Sequence, residues 1–238
     1  MSSVPMGDST DTHIRELIEL ERTITGCFAC PRLVEWREKI AREKRAAFAD
    51  EDYWGRPVPG WGDPRARLLS VGLAPAAHGG NRTGRVFTGD RSGEWLFGSL
   101  YRTGYANQPH SLHRNDGLEL TDAFITAGVR CAPPANKPTP AERDRCMPYL
   151  VREVELLDRL QVIVALGSFG WDVALKVCGP IGGHVPSPKP RFGHLAEVDL
   201  GRFTLIGSYH PSQQNTFTGK LTQEMLDAVF ARARALCE

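Results

Sequence analysis

Apolar residues along the chain fall into two rhythms. Four short, nearly continuous apolar runs have the length of buried strands: Ala66 to Val71, Leu120 to Val129, Gln161 to Leu166 and Phe203 to Ser208. Around them apolar residues recur at helical spacing. Ile14, Leu17, Ile18 and Ile24 predict a helix from Thr12 to Gly26, and a second helix is predicted from Arg32 to about Phe48. Ser92, Gly93 and Glu94 lead into a capped helix over Trp95 to Tyr101. Thr139-Pro-Ala-Glu142 is a capping box with proline at the first helical position, opening a helix that Pro148 is expected to kink. Phe169 to Val177 and Leu221 to Leu236 predict two more helices, and the polar residues 1 to about 11 predict a disordered tail.

Strands alternating with helices imply parallel βαβ units. The expected fold is therefore a three-layer α/β/α sandwich with a central four-stranded parallel sheet, in a single domain over residues 12–238. In such sheets ligands bind at the carboxyl ends of the strands. All four predicted strands release loops rich in Gly, Asn, His or Cys at that end.

Composition narrows the function without naming it. The 238 residues are 41% apolar and 24% charged, with a net charge of +1, so nucleic-acid binding would need a local basic patch. No apolar run is long enough to span a membrane and the first residues lack a signal-peptide core, which points to the cytoplasm. In that reducing setting six cysteines suggest metal ligands more than disulfides.

The candidate chemistry concentrates in loops. Gly72 to Asp90 is glycine-rich and polar, with His78, Asn81, Arg82, Arg85 and Asp90, but it lacks the spacing and lysine of a phosphate-binding P-loop. Cys27-x-x-Cys30 has a chelating spacing, and Cys131 and Cys146 complete a set of four; zinc and a four-iron cluster both accept such a set. Cys178 and Cys237 lie in apolar helical segments and read as core residues. Three prolines stiffen Cys131-Ala-Pro-Pro-Ala-Asn136-Lys-Pro and hold Asn136 beside a ligand cysteine. His210-Pro-Ser212 leaves the fourth strand ahead of a polar loop, Gln213 to Gly219, with Phe217 at its tip. The aromatics of Tyr53 to Gly62 are expected over the mouth of the domain. The basic residues of the second helix read as a solvated face or a phosphate-tracking surface.

Taken together, Gly-Leu-Ala-Pro-Ala-Ala-His-Gly-x-Asn-Arg-Thr-Gly-Arg-x-Phe-Thr-Gly-Asp, Cys-Ala-Pro-Pro-x-Asn-Lys-Pro, His-Pro-Ser-x-x-Asn-x-x-x-Gly and the four cysteines resemble family 5 (B-type) uracil-DNA glycosylases. The similarity covers residues from about 27 to 220. Related family 4 enzymes carry a glutamate where this chain has Leu73 and an asparagine where it has Ala127, so the family 5 pattern is the nearer one.

The resemblance implies a DNA-repair glycosylase that flips uracil, and also hypoxanthine or other damaged bases, out of double- or single-stranded DNA and hydrolyses the N-glycosidic bond. It implies a [4Fe-4S] cluster on Cys27, Cys30, Cys131 and Cys146, and a monomer. Asp90, His210 and Asn136 would be catalytic, and Phe87 would stack on the base. Leu73, Ala74, Ala77, His78 and Asn81 would line the base pocket. Arg82, Arg85, Lys137, Ser212, Gln213, Gln214, Asn215 and Lys220 would contact DNA. On the residues alone, a non-catalytic nucleic-acid or nucleotide binding module and a zinc-bearing α/β hydrolase share the same crevice.

Overall fold

The computed structural model describes residues 9–238. The chain opens with α1 (Ser9–Thr25) and α2 (Pro31–Glu43), a 3-10 turn at Ala46–Phe48, then β1 (Trp61–Gly62), β2 (Leu68–Gly72), α3 (Gly80–Thr83) and α4 (Arg91–Arg102). It continues through β3 (Ala123–Ala127), a 3-10 turn at Pro134–Asn136, α5 (Pro140–Leu156), β4 (Val162–Leu166) and α6 (Ser168–Cys178). It closes with β5 (Glu197–Asp199), β6 (Thr204–Ser208), α7 (Gln213–Phe217) and α8 (Gln223–Cys237). The tail expected over residues 1 to 11 lies outside the described residues up to residue 8, and Ser9 to Asp11 already belong to α1.

The sheet has six strands in the order β1-β3-β2-β4-β6-β5. The inner four, β3, β2, β4 and β6, are mutually parallel, as expected from the apolar runs. The short edge strands β1 and β5 are antiparallel additions of two and three residues, too short to leave a periodic signal.

Every residue of β2, β3 and β4 is buried, because helices cover both faces. Leu69, Val71, Ile163, Ala165 and Leu205 share one core with side chains of α5 and α6. Leu68, Ile125, Val162, Val164 and Ile206 share the other with α4 and α8, where Phe97 and Phe230 are fully buried. Each such side chain contributes about 1.5–3 kcal/mol by leaving water.

The second helix is shorter than its pattern predicts. Lys44 turns to a positive φ of 53° and its N–H returns to the carbonyl of Ile40, so α2 ends at Glu43. The aromatic loop also lies elsewhere than expected. Trp54 packs on the backbone of Gly84, and Trp61 on Phe97 and the Arg85 guanidinium, so both brace the Gly72–Asp90 loop from behind and do not cover a mouth.

β2 and β4 are neighbours, and the chain leaves β2 towards β3 but leaves β4 towards β6, in opposite directions. This is the topological switch at which parallel sheets open a crevice beyond their carboxyl ends.

Candidate functional site

That crevice is a cavity of about 510 Å³. The loop after β2 supplies Leu73, Ala74, Ala76, Phe87 and Asp90, and the first turn of α4 adds Arg91 and Ser92. The loop after β3 supplies Asn136, and the segment after β6 supplies His210, Ser212, Gln213 and Gln214. Asp90, Asn136 and His210, more than 40 positions apart in the chain, thus meet around one space. A second cavity of about 370 Å³ beneath α1 contains Glu153 and Arg85, but Glu153 is paired with Arg130 and Arg85 with Asp116.

Asp90 is the N-cap of α4: its carboxylate accepts a 2.9 Å hydrogen bond from the N–H of Gly93. Burial pushes its carboxyl above the ordinary range, against the backbone donors of Gly93 and Ser92 that stabilise the ionised form. The carboxylate presses on Gly79, where an added Cβ would overlap its Oδ2, so the absence of a side chain at Gly79 makes room for it.

His210 has lost water without gaining a charged partner, which lowers its pKa to about 4 and keeps the imidazole neutral at pH 7. Its backbone carbonyl accepts from Asn215 Nδ2 at 2.9 Å, so Asn215 fixes the turn and stays out of the cavity wall. The Phe87 ring lies 5.9 Å from the imidazole, tilted by 36°. Phe87 holds φ at +56°, a strained setting for a bulky residue, and its ring edge sits where a Cβ on Gly72 would be. Asn136 and Ala135 also have positive φ, on the proline-framed turn that carries Asn136 to the rim. Among the described residues no hydrogen bond takes up the backbone N–H of Ala74 or Ala76, leaving two donors on the cavity wall.

Several of the residues expected at the site lie away from the cavity wall. Arg82 is buried and spent on Glu51, the carbonyls of His78 and Gly89, and the Phe48 ring. Arg85 is buried against Asp116, Ser111 and Thr88, all at 3.0 Å or less. Neither guanidinium is presented to a phosphate; both hold the loop closed from inside. Asn81 is fully buried and ties the loop to α2 through Nδ2 and the Arg37 carbonyl, at 3.2 Å. His78 bonds Tyr53, and with Ala77 it stays outside the cavity wall. Lys137 and Lys220 are exposed beyond the rim, Lys220 lying over the Tyr209 ring. Arg91 and Ser92 line the cavity and were missed. Arg91 sits directly beside the one acidic residue of the long motif, and that adjacency was the available signal.

The four motif cysteines line one small closed space together with Arg37, Arg130 and Tyr149. Among the described residues no three Cys, His, Asp or Glu side chains converge tightly enough to hold a single metal ion. Each sulfur nonetheless has a donor beside it. Arg37 Nη1 donates to Cys131 Sγ at 3.1 Å, Arg145 lies beside Cys30, the Arg130 backbone N–H beside Cys146 and the Tyr149 hydroxyl beside Cys27. Arg37 is completely buried and its Nε and Nη2 have no hydrogen-bond partner. Burial pushes the Cys131 thiol up to about 12 even against the lowering pull of Arg37. A buried, under-used guanidinium among four thiols fits a donor set that carries negative charge, as thiolates around a metal centre do.

A family model described as the uracil DNA glycosylase superfamily matches residues 59–234. The type-5 uracil-DNA glycosylase of Mycobacterium tuberculosis (strain CDC 1551 / Oshkosh) is 57% identical over 222 residues, spanning 92% of this chain and 81% of its own length. That of Thermus thermophilus is 48% identical over 216 residues, 90% of this chain and 95% of its own. The type-4 uracil-DNA glycosylase of Archaeoglobus fulgidus is 36% identical over 163 residues, 65% of this chain and 70% of its own.

Proposed function

The chain belongs to the uracil DNA glycosylase superfamily, and on that premise we propose that its cavity takes an extruded nucleotide and hydrolyses the bond between base and deoxyribose. The observation that carries this reading is the meeting of Asp90, Asn136, His210 and Phe87 around one space at the carboxyl ends of three strands.

Hydrolysis breaks the C1′–N bond. The electron pair leaves with the base, the sugar becomes oxocarbenium-like, and water adds to C1′ and gives up a proton that ends on the nitrogen of the departed base. Asp90, as the carboxylate, stabilises the cationic sugar and orients the attacking water. His210, neutral, donates an N–H to the base carbonyl on which negative charge builds. Asn136 contacts the base edge or the water, and Phe87 offers a stacking face. The free N–H groups of Ala74 and Ala76 are further donors for developing charge. Leu73 and Ala74 bring no polar side chain, so base selection rests on few groups. Hypoxanthine, which shares a carbonyl flanked by an N–H with uracil, is an expected second substrate. The segment from Gln213 to Phe217 faces the duplex, and Phe217 is 67% exposed at its end.

The cysteine set fits the [4Fe-4S] cluster that the family 5 resemblance implies: its four sulfurs line one closed space, each beside a donor. Cys27, Cys30, Cys131 and Cys146 would hold it, with Arg37 as the buried counter-charge. When bound, such a cluster supplies a cross-link between the N-terminal helices and the loop that carries Asn136.

The deciding assay incubates the protein with a uracil-containing oligonucleotide and cleaves abasic sites with alkali. Strand scission at the uracil position is expected, and at hypoxanthine more slowly. An intact strand after binding would leave only a binding module.

A further inference from the structure

Of the phosphate contacts expected from the sequence, Arg82 and Arg85 are consumed inside the loop, Lys137 and Lys220 lie outside the cavity wall, and Ser212 on the wall carries no charge. The cavity still has a cation. Arg91 is the one Lys or Arg among the residues lining it, next to Asp90 at the start of α4. Its guanidinium lies over the ring of Phe217, 4.7 Å from the centroid, and reaches Glu94 only at 4.0 Å. Phe217 closes α7, whose Gln213 and Gln214 line the same cavity, and is 67% exposed. The stack therefore bridges the rim between the two elements that a DNA strand must meet on its way in.

We propose that Arg91 is the phosphate-binding residue of the site, and that DNA exchanges its stack on Phe217 for a phosphate of the strand carrying the extruded nucleotide. This rests on the glycosylase reading of the same cavity. The exchange is downhill. An exposed cation–π contact is weak, whereas an Arg–phosphate pair is charge-assisted and bidentate. The planar fork suits both partners in turn, which a lysine does not. Releasing the guanidinium also releases Phe217, the aromatic side chain nearest the gap that extrusion leaves. Phosphate capture and entry of Phe217 into the duplex are thereby one event, and Arg91 positions the substrate while Asp90 acts on the sugar.

The test measures kcat/KM for uracil release from duplex and single-stranded oligonucleotides between about 50 and 200 mM NaCl. Arg91→Ala is expected to lower kcat/KM about ten-fold on both substrates. It should also flatten the slope of log(kcat/KM) against log[salt] by about one unit. Arg91→Lys should restore the slope while recovering only part of the rate. Phe217→Ala should keep the parental slope and lose rate mainly on duplex. In the double variant the duplex losses should combine to less than their product, because the two residues act in one step. Circular dichroism matching the parent excludes unfolding of α4. A parental salt slope in a folded Arg91→Ala protein overturns the proposal. Absence of uracil release by the unaltered protein at every salt concentration would instead overturn the glycosylase reading.

Discussion

Asp90 caps the first turn of α4, and the proposed chemistry also sets it against the sugar; substitutions separate the two roles. Asparagine caps a helix as well as aspartate does. A carboxyl whose folded pKa is raised also costs stability once it ionises, and that cost grows as pH rises through the raised value. Asp90→Asn is therefore expected to melt no lower than the parent at pH 7 while uracil release falls by about 10²–10³. Asp90→Ala should lose the same activity and about 1 kcal/mol of stability with the cap. The same burial sets the pH profile: kcat/KM should decline on acidification from neutrality before an ordinary carboxylate would protonate. His210, neutral down to about 4, adds nothing until then. A rate flat from neutrality to about pH 4 would remove Asp90 from the chemistry. The meeting of Asp90 and His210 was legible in the sequence, because one closes the loop motif that follows β2 and the other stands at the exit of β6. The burial of Arg82 and Arg85 was not, because their partners, Glu51 and Asp116, lie some 30 residues away in segments without pattern.

At the scale of elements, the inner strands were legible because two-sided burial writes itself as a continuous apolar run. The edge strands were not, since β5 is only partly buried and pairs on one side alone. Phe87 shows a related limit: nothing in composition announces a positive φ, which is imposed by the fit of its ring over Gly72. The capping box at Thr139 was legible, but its second duty was not. Glu142 closes the box and also receives Arg32 of α2 through two bonds of 2.8 and 2.7 Å. The Arg32 guanidinium and Thr139 hold the Glu142 carboxyl below the usual range. Its stabilisation is thus present above the unfolded value near 4.3 and lost as pH falls through the folded one. Glu142→Gln should cost about 1 kcal/mol at pH 7, and the difference in melting temperature should vanish by about pH 3. A gap of equal size at both pH values would show that the charge is not what joins the helices.

For the whole molecule, a net charge of +1 supplies little long-range attraction, so DNA affinity must come from the rim of the cavity. The cysteine centre matters at this scale as well. Cys131→Ala is expected to abolish visible absorbance and bound iron. It should also lower stability by about 3 kcal/mol or more, since it strands the buried Arg37 without its partner. Cys178→Ala, a change in the core beside α6, should keep the iron. Equal iron in both variants would refute the assignment of ligands.

The docking of α1 and α2 has a consequence in time. α1 packs on α5, Arg32 waits for Glu142, and Arg37 for Cys131, partners made 94 to 110 residues later. At a synthesis rate of about 5–20 residues per second, the first two helices are out of the ribosome for about 5–20 seconds before these partners are made. An isolated helix of 17 residues is marginal in water, so α1 persists only once α5 exists. During that interval Cys27 and Cys30 stand open to solvent, a pair of thiols on a nascent chain. They close into the interior only when the second pair arrives.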